Sequence, residues 1–179
     1  NRCFLQSEKS TFLSFLGLCV VVLLGFVIPE PRTIPVDNAS PADWNKDTFW
    51  YEPWGTSGVH KGIDIFAQKG TSVLSSTHQL IIYQGQKPKG GNIILALGPK
   101  WRLHYYAHLD SIEIDGITLV SKGTKIGTVG STGNAQGKAP HLHYSIVSLF
   151  PYFWLADEST QGAKKAYYLN PISYLSAAD

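Results

Sequence analysis

The amino-acid sequence predicts an all-β domain with a small, mostly antiparallel sheet, preceded by one N-terminal transmembrane helix. After about residue 28 the chain shows short alternating segments separated by turns, and no long amphipathic helical stripe. Its 17 Gly and 10 Pro residues are typical of a turn-rich β-fold. With 44% hydrophobic and only 16% charged residues, the chain has enough apolar surface to bury a core, so general disorder is excluded.

The first element is an uncharged run of 18 residues, TFLSFLGLCVVVLLGFVI, at positions 11–28. A helix rising about 1.5 Å per residue over this length nearly spans a hydrocarbon core of about 30 Å. A buried core helix fits less well because the run is apolar on every side. A cleaved signal peptide is the closer alternative, but no small residues that would form a cleavage site follow Phe26. A lipoprotein site at Cys19 is disfavoured because the bulky Leu18 precedes it.

Charges before this run predict its orientation. Arg2 and Lys9 precede it against the single acidic Glu8, which places the N-terminus in the cytoplasm and the rest of the chain outside. Residues 1–29 are therefore predicted to form the N-terminal segment with the membrane anchor. Both cysteines lie in this segment, so residues 30–179 contain neither a disulfide nor a thiol nucleophile.

Residues 30–47 are predicted to be a Pro-rich linker, a stiff polar tether with little periodicity. The folded domain is predicted over residues 48–179. Within it, alternating apolar residues predict strands in the segments 71–76, 79–84, 91–98, 102–109, 123–130 and 141–147.

Charge and motifs exclude several function classes. The chain has 15 Lys+Arg against 13 Asp+Glu, and this net charge of +2 argues against a nucleic-acid binder. The sequence contains no H-E-x-x-H, no G-x-S-x-G, and neither of the glycine-rich nucleotide motifs. Helical zincin, serine-hydrolase and nucleotide sites therefore lack support.

Histidines recur on one face of three predicted strands, because side chains alternate between the faces of a strand. In VHKGIDIF, His60 and Asp64 share a face. In HLHYSIV, His141, His143 and Ser145 share a face. In LHYYAHL the shared residues are His104, Tyr106 and His108, opposite the apolar set Leu103, Tyr105, Ala107 and Leu109.

Two imidazoles and one carboxylate are the ligand set of an open zinc site, which keeps a fourth position for water. His60, Asp64 and one residue of the H-x-H pair provide this set. Any one of these motifs alone is also typical of a surface or core histidine with a satisfied hydrogen bond. The coincidence of three motifs favours the metal site.

Three other residues are given lesser roles. His104 is predicted to lie in the groove or on the surface, more than 13 Å from His108 along an extended strand at about 3.3 Å per residue. Tyr106 either lines the groove or packs at an edge. His78 is predicted to be a turn residue.

The segments HKGIDIFAQKGTSVLSS, GGNIILALG, HYYAHLD, VSKGTKIGTVGSTGNAQG, APHLHYSI and LNPISYL occur in this order. Together they resemble the LytM/lysostaphin-type zinc metallopeptidases, which cut peptidoglycan cross-links. The resemblance extends from about Gly58 to Leu175. It implies an antiparallel sheet whose site lies in a groove walled by loops.

The resemblance also implies roles for five residues. His60, Asp64 and His143 are expected to hold one Zn²⁺ per chain. His108 and His141 are expected to lie beside the metal-bound water, where one accepts its proton and the other stabilises the oxyanion or protonates the leaving amine. Some relatives lack one or more of these residues and activate other wall hydrolases, but this chain has all five.

The expected function is a membrane-tethered zinc endopeptidase that acts on peptidoglycan peptides. Its expected location is the bacterial inner membrane, with a single span and the catalytic domain facing the periplasm or cell wall. The alternative is a non-catalytic member that binds the wall or a partner, either a wall hydrolase or a division protein.

The chain departs from the family pattern in three places. The segment SLFPYFWLADESTQGAKKAYY is long and aromatic, the loop 137–140 is longer than in the shortest members, and His78-Gln79 replaces a turn ending in Gly. These departures leave the groove shape, and hence the bond cleaved, open.

Overall fold

The computed structural model describes the backbone of residues 2–176 and the side chains of residues 12–176. Its elements in chain order are α1 (Arg2–Val27), β1 (Ile63–Phe66), β2 (Ser72–Leu74), β3 (Gln79–Lys87), β4 (Gly91–Gly98), β5 (Arg102–Leu109), β6 (Thr118–Val120), β7 (Lys125–Thr128), β8 (His141–Ser148), β9 (Tyr168–Leu169) and α2 (Pro171–Leu175). Short 3₁₀ turns occupy several of the connections.

The main sheet has the strand order β1-β8-β5-β4-β3-β6, with β9 also paired to β8, and β2 and β7 form a second, two-stranded sheet. Every pairing is antiparallel. The predicted antiparallel β-fold is therefore confirmed, and each of the six predicted segments contains a strand. The prediction missed β6 and β9, which have three and two residues and are too short to show an alternating pattern.

Helix α1 contains most of the apolar N-terminal run, and its C-terminal part packs on the domain. The indole Nε1 of Trp101 donates to the carbonyl of Val22 at 2.8 Å, and the rings of Phe26 and Phe150 lie 5.3 Å apart. Within the part of the chain that the structure describes, no helix is sufficiently long and apolar to traverse a membrane. The anchor at residues 11–28 stays a prediction, and the side chains that set its orientation lie outside the described residues.

The segment 30–47 differs from the predicted tether because it packs against the domain. Backbone hydrogen bonds join residues 33–37 to the edge of β2 and the turn after it. Val36 faces Val73 across this edge and is only 2% exposed, and Trp44 is also buried in the core. The prediction of a separate linker is corrected here, because these two apolar side chains and the free edge of β2 draw the segment onto the fold.

A buried polar network crosses the core face of the central strands. The Tyr144 hydroxyl lies 2.7 Å from both His104 Nδ1 and Ser76 Oγ, and the Tyr106 hydroxyl donates to Gln79 Oε1 at 2.9 Å. The side chains of His104 and Tyr106 are both fully buried. His104 therefore lies neither in the groove nor on the surface, and Tyr106 neither lines the groove nor packs at an edge, so these two predictions are wrong. His78 is exposed in the turn before β3, as predicted.

Candidate metal centre and active site

Three side chains meet at one end of the sheet. His60 Nε2 lies 3.2 Å from Asp64 Oδ1 and 3.1 Å from His143 Nδ1, and His143 Nδ1 lies 2.8 Å from the same carboxylate oxygen. The structure thus brings together the three residues expected to hold the metal.

Strand pairing places two of these ligand candidates. Asp64 in β1 and His143 in β8 are direct cross-strand partners, so their side chains lie side by side on one face. Between His60 and β1, the chain passes so close to β8 that a Cβ on Gly62 would lie 2.5 Å from the carbonyl oxygen of Tyr144. Glycine is required here by this close approach to the neighbouring strand.

His60 reaches the site by a different route from the predicted one. It precedes β1, so strand alternation does not position it. Its backbone N–H donates to the carbonyl of Tyr51, and its carbonyl accepts from the N–H of Trp50. This pairing with the loop before it turns the imidazole towards Asp64, and the indole of Trp54 stacks on the ring with centroids 4.1 Å apart.

The second ring nitrogen of each metal-site histidine has an oxygen partner. His60 Nδ1 lies 3.1 Å from the carbonyl oxygen of Thr48 and 2.8 Å from its hydroxyl, and His143 Nε2 lies 3.0 Å from Ser145 Oγ. With a metal bound, a hydrogen on each of these far nitrogens would be accepted by the oxygens, and the lone pairs of His60 Nε2 and His143 Nδ1 would be free to hold the ion beside Asp64. Such partners orient metal-binding imidazoles.

Two further histidines stand beside these three residues. His141 Nδ1 donates to the carbonyl of Ala139 at 2.8 Å, and its Nε2 lies 4.0 Å from Asp64 Oδ2. His108 Nδ1 donates to the carbonyl of Thr132 at 2.9 Å, and its ring centroid lies 5.1 Å from that of His141. The structure therefore places all five predicted residues in one site.

The face of β5 that is turned to the site is the one predicted to face the core. Tyr105 and Ala107 are paired with Ser145 and His143, so they lie on the site face, whereas His104 and Tyr106 face the core. His108 would follow Tyr106 into the core, but a bulge opposite Ile93 interrupts the alternation there.

The bulge turns His108 to the site. Its φ is +66°, in the left-handed region that residues other than Gly and Asn seldom adopt. Backbone bonds hold this conformation, because the N–H of His108 donates to the carbonyl of Gly90 at 2.8 Å. Strand alternation alone could not predict the orientation of His108, because the extra residue of a bulge moves each later side chain of the strand to the opposite face.

Burial and neighbouring charges set the protonation of the site. Burial raises the pKa of Asp64, but hydrogen bonds from His143 and His60 outweigh it and hold the pKa well below its ordinary value. Burial, followed by the nearby His143 and His141, lowers the pKa of His108 to about 4. The pKa of His143 is also lowered by burial, although Asp64 opposes the shift. These two rings are therefore neutral at pH 7, the form that binds a metal or accepts a proton.

The donors fit zinc. Two imidazole nitrogens and one ionised carboxylate oxygen are a common ligand set of catalytic zinc sites, in which a fourth position stays open. The short distances between the three donor atoms and the oxygen partners on the far nitrogens agree with such a site. His60, Asp64 and His143 would hold the ion.

A groove of about 470 Å³ leads to these residues. His60, His108 and His143 line its floor with Tyr105, and the loops at 53–57 and 134–138 line its walls. Sequence reasoning missed the roles of Tyr105 and Thr48. Thr48 carries no signal of its own, whereas Ser145 was on the correct face of the H-x-H strand and could have been assigned from that position.

The chain was compared with known proteins. The sequence profile of Peptidase family M23 matches residues 58–151. The murein hydrolase activator NlpD of Salmonella dublin is 32% identical over 122 residues, which cover 65% of this chain and 32% of the relative. The L-Ala–D-Glu endopeptidase of Bacillus subtilis is 34% identical over 113 residues, covering 58% and 35%. The chain thus spans about a third of the length of these two relatives.

Among solved structures, the catalytic domain of the antimicrobial peptidase lysostaphin from Staphylococcus simulans superposes with a TM-score of 0.55 at 27% identity. The match covers 70% of this chain and 86% of that domain. The residues matched by the family profile make up more than half of this chain. They include all five residues of the site, four histidines and Asp64. The chain belongs to peptidase family M23.

Proposed function

We propose that this chain is a zinc metalloendopeptidase that hydrolyses peptide cross-links of peptidoglycan. The observation that carries the proposal is the presence, in one site at the end of the groove, of a complete ligand set and two further imidazoles whose Nε2 has no backbone partner. A relative from Bacillus subtilis is named as an L-Ala–D-Glu endopeptidase, which supports peptide-bond hydrolysis, and the name of the Salmonella relative refers to murein.

The chain's own residues supply the proton transfers. When bound, zinc supplies Lewis-acid polarisation of a peptide carbonyl and lowers the pKa of water. His108 and His141 each have Nδ1 bonded to a backbone carbonyl, so Nε2 of the neutral ring is the atom that accepts a proton. One of them accepts the proton of the attacking water at Nε2. The other, when its Nε2 carries a proton, donates that proton to the leaving amine or a hydrogen bond to the oxyanion.

The second candidate is a non-catalytic activator of other wall hydrolases. The similarity to NlpD, a protein named as a murein hydrolase activator, favours it. The two candidates differ in turnover, not in fold or metal content. An activator leaves purified peptidoglycan intact unless a second hydrolase is present.

The test is digestion of purified peptidoglycan by the zinc-loaded chain, with the released muropeptides identified by mass spectrometry. His143→Ala should lose both zinc and activity. His108→Ala and His141→Ala should keep zinc and lose activity by about 10²–10⁴-fold, the usual contribution of general acid–base catalysis. Digestion at the parent rate by both of these variants would refute the roles proposed for His108 and His141. Peptidoglycan left intact by the zinc-loaded parent chain would refute the catalytic proposal and favour the activator.

We further propose that residues 1–29 tether the domain to the bacterial inner membrane, with residues 30–179 on the periplasmic or wall side. The uncharged run 11–28 and the basic residues before it support this. Separation of membranes from a lysate should recover the full chain in the membrane fraction after a carbonate wash, and external protease should degrade its C-terminal part in spheroplasts. Release by carbonate, or full protection from protease, would contradict the proposal.

A further inference from the structure

Lysines surround the groove that leads to the metal centre. Lys61, Lys89 and Lys138 all line it, whereas its described lining residues include no Asp or Glu. The chain as a whole carries a net charge of only +2, so this concentration is a local feature.

Of the eight lysines that the structure describes outside the groove, four pair with a carboxylate and four, Lys87 among them, do not. Outside the groove, Lys69, Lys125 and Lys165 pair with Asp110, Glu113 and Asp157 at 3.0, 2.9 and 2.5 Å. None of the three groove lysines lies within 4.0 Å of a carboxylate of any residue between 12 and 176. Their charges are available to a ligand.

Backbone contacts fix the positions from which these side chains extend. The carbonyl of Lys89 accepts from the N–H of Asn134 at 2.9 Å, and this bond ties the β3–β4 turn to the wall loop that carries Lys138. On the opposite side, Lys61 Nζ donates to the carbonyl of Ser57 at 3.0 Å. The three ammonium groups therefore flank the groove from both walls.

We propose that these lysines select an acidic peptide, one with free carboxylates on either side of the bond presented to His108 and His143. This inference rests on the proposed function and names the substrate class of the same site. An uncharged cross-link, such as a run of glycines, offers nothing for the lysines to bind. The attraction should weaken with added salt, because exposed charges are screened.

The experiment compares one cross-linked muropeptide fraction in two forms: with free carboxyls, and with the carboxyls converted to methylamides. The full zinc-loaded chain is tested as wild type, as Lys89→Gln/Lys138→Gln, and as the control Lys87→Gln. Lys87 lies on the same hairpin as Lys89 but outside the groove. Cleavage gives kcat/KM, and calorimetry on the His108→Ala background of each protein gives affinity.

We expect the wild type to bind the free-carboxyl form more tightly than the methylamide form. This preference, measured as the ratio of the two affinities, should fall by about 3- to 20-fold in the double variant and stay unchanged in the Lys87→Gln control. Methylamide binding should be the same in all three proteins. Equal affinity of the wild type for both forms, or an equal loss on both forms in the double variant, would overturn the inference. If no protein cleaves either form, the proposed function fails. The measured affinities still show whether the groove prefers a peptide with free carboxylates.

Discussion

Four imidazoles in the site each have one ring nitrogen bonded to oxygen atoms of the chain, which leaves the other nitrogen facing the site. Three of the four imidazoles have a backbone carbonyl as partner, which points where the fold puts it, and His60 has the Thr48 hydroxyl as well. For His143 the partner is a side-chain hydroxyl, Ser145 Oγ. His60, Asp64 and one histidine of the H-x-H pair could be predicted from residue type and spacing, whereas the choice of His143 and the roles of His108 and His141 are implied by the family resemblance. The oxygen partners come largely from loops that a single sequence does not place.

Ser145→Ala should weaken zinc binding by about 10–100-fold, because His143 loses the oxygen that orients its ring. The measurement is competition for zinc against a chelator of known affinity. Ser148→Ala is the matched control, since Ser148 lies on the same strand and its hydroxyl bonds Phe150 away from the site. An unchanged affinity in Ser145→Ala would show that Asp64 alone orients His143.

His104 predicts a pH dependence of stability. Burial, with smaller effects of Arg102 and Arg32, lowers its pKa to about 3 from an ordinary value of 6.5. Between these values the unfolded chain binds a proton that the folded chain does not. Stability supplied by the neutral ring is therefore complete above about pH 6.5 and is lost as the pH falls towards 3.

In wild type, the free energy of unfolding should fall more steeply on acidification than in His104→Gln, by up to about 1.4 kcal/mol per pH unit. Urea unfolding between about pH 7 and 4, in the presence of a chelator, measures the slope of the unfolding free energy against pH for each protein. The metal-site residues titrate in both proteins, so their effect cancels in the difference between the two slopes. Equal slopes would mean that the pKa of His104 is the same in the folded and the unfolded chain.

At the scale of the element, β5 shows how far alternation can predict a site. The strand itself, and the presence of a histidine-bearing face in β8, follow from the two-residue period. The facing of β5 does not, because Tyr105 rather than Tyr106 lines the groove and His108 reaches it only through a bulge. His60 lies outside any strand. It faces Asp64 as predicted, but because its backbone pairs with the loop before it and not because of strand alternation.

The bulge predicts an unusual order of stability at position 108. His108→Gly and His108→Ala both remove the imidazole, but only glycine adopts a φ of +66° without strain. The Ala variant should therefore unfold with a free energy about 1 kcal/mol lower than the Gly variant. Denaturant titration of both variants measures the difference.

A comparison of Ala107 with Ala107→Gly, on the regular part of the strand before the bulge, is the control. There Gly should be the less stable residue, because it has greater conformational freedom in the unfolded chain. Equal stability of His108→Ala and His108→Gly would contradict the left-handed conformation at the bulge.

For the whole molecule, the boundary of the folded unit lies earlier than composition indicates. Prolines and charges in residues 30–47 predict a linker, and they outweigh the two apolar residues that the structure buries. The buried Glu30 carboxylate adds a further tie, with Arg102, Arg32 and the Tyr174 hydroxyl as partners. Such long-range partners cannot be read from local pattern.

A chain starting at residue 48 should be less stable than one starting at residue 30. Removal of buried Val36 and Trp44 costs about 1.5–3 kcal/mol for each large apolar side chain. Urea unfolding of residues 30–179 and 48–179 tests this, and Val36→Ala in the longer chain separates packing from the loss of backbone pairing. Equal stability of the two chains would restore the predicted boundary at residue 48.

The packing of residues 30–47 also limits how far the proposed peptidase can reach. A free chain of these 18 residues could extend about 60 Å. Held against the domain, the segment provides none of that length, and Glu30 lies only three residues beyond the end of α1. With α1 in the membrane, the groove would act within about one domain diameter, ~40 Å, of the bilayer surface. Peptidoglycan strands nearest the membrane would be cut, and more distant layers would stay out of reach.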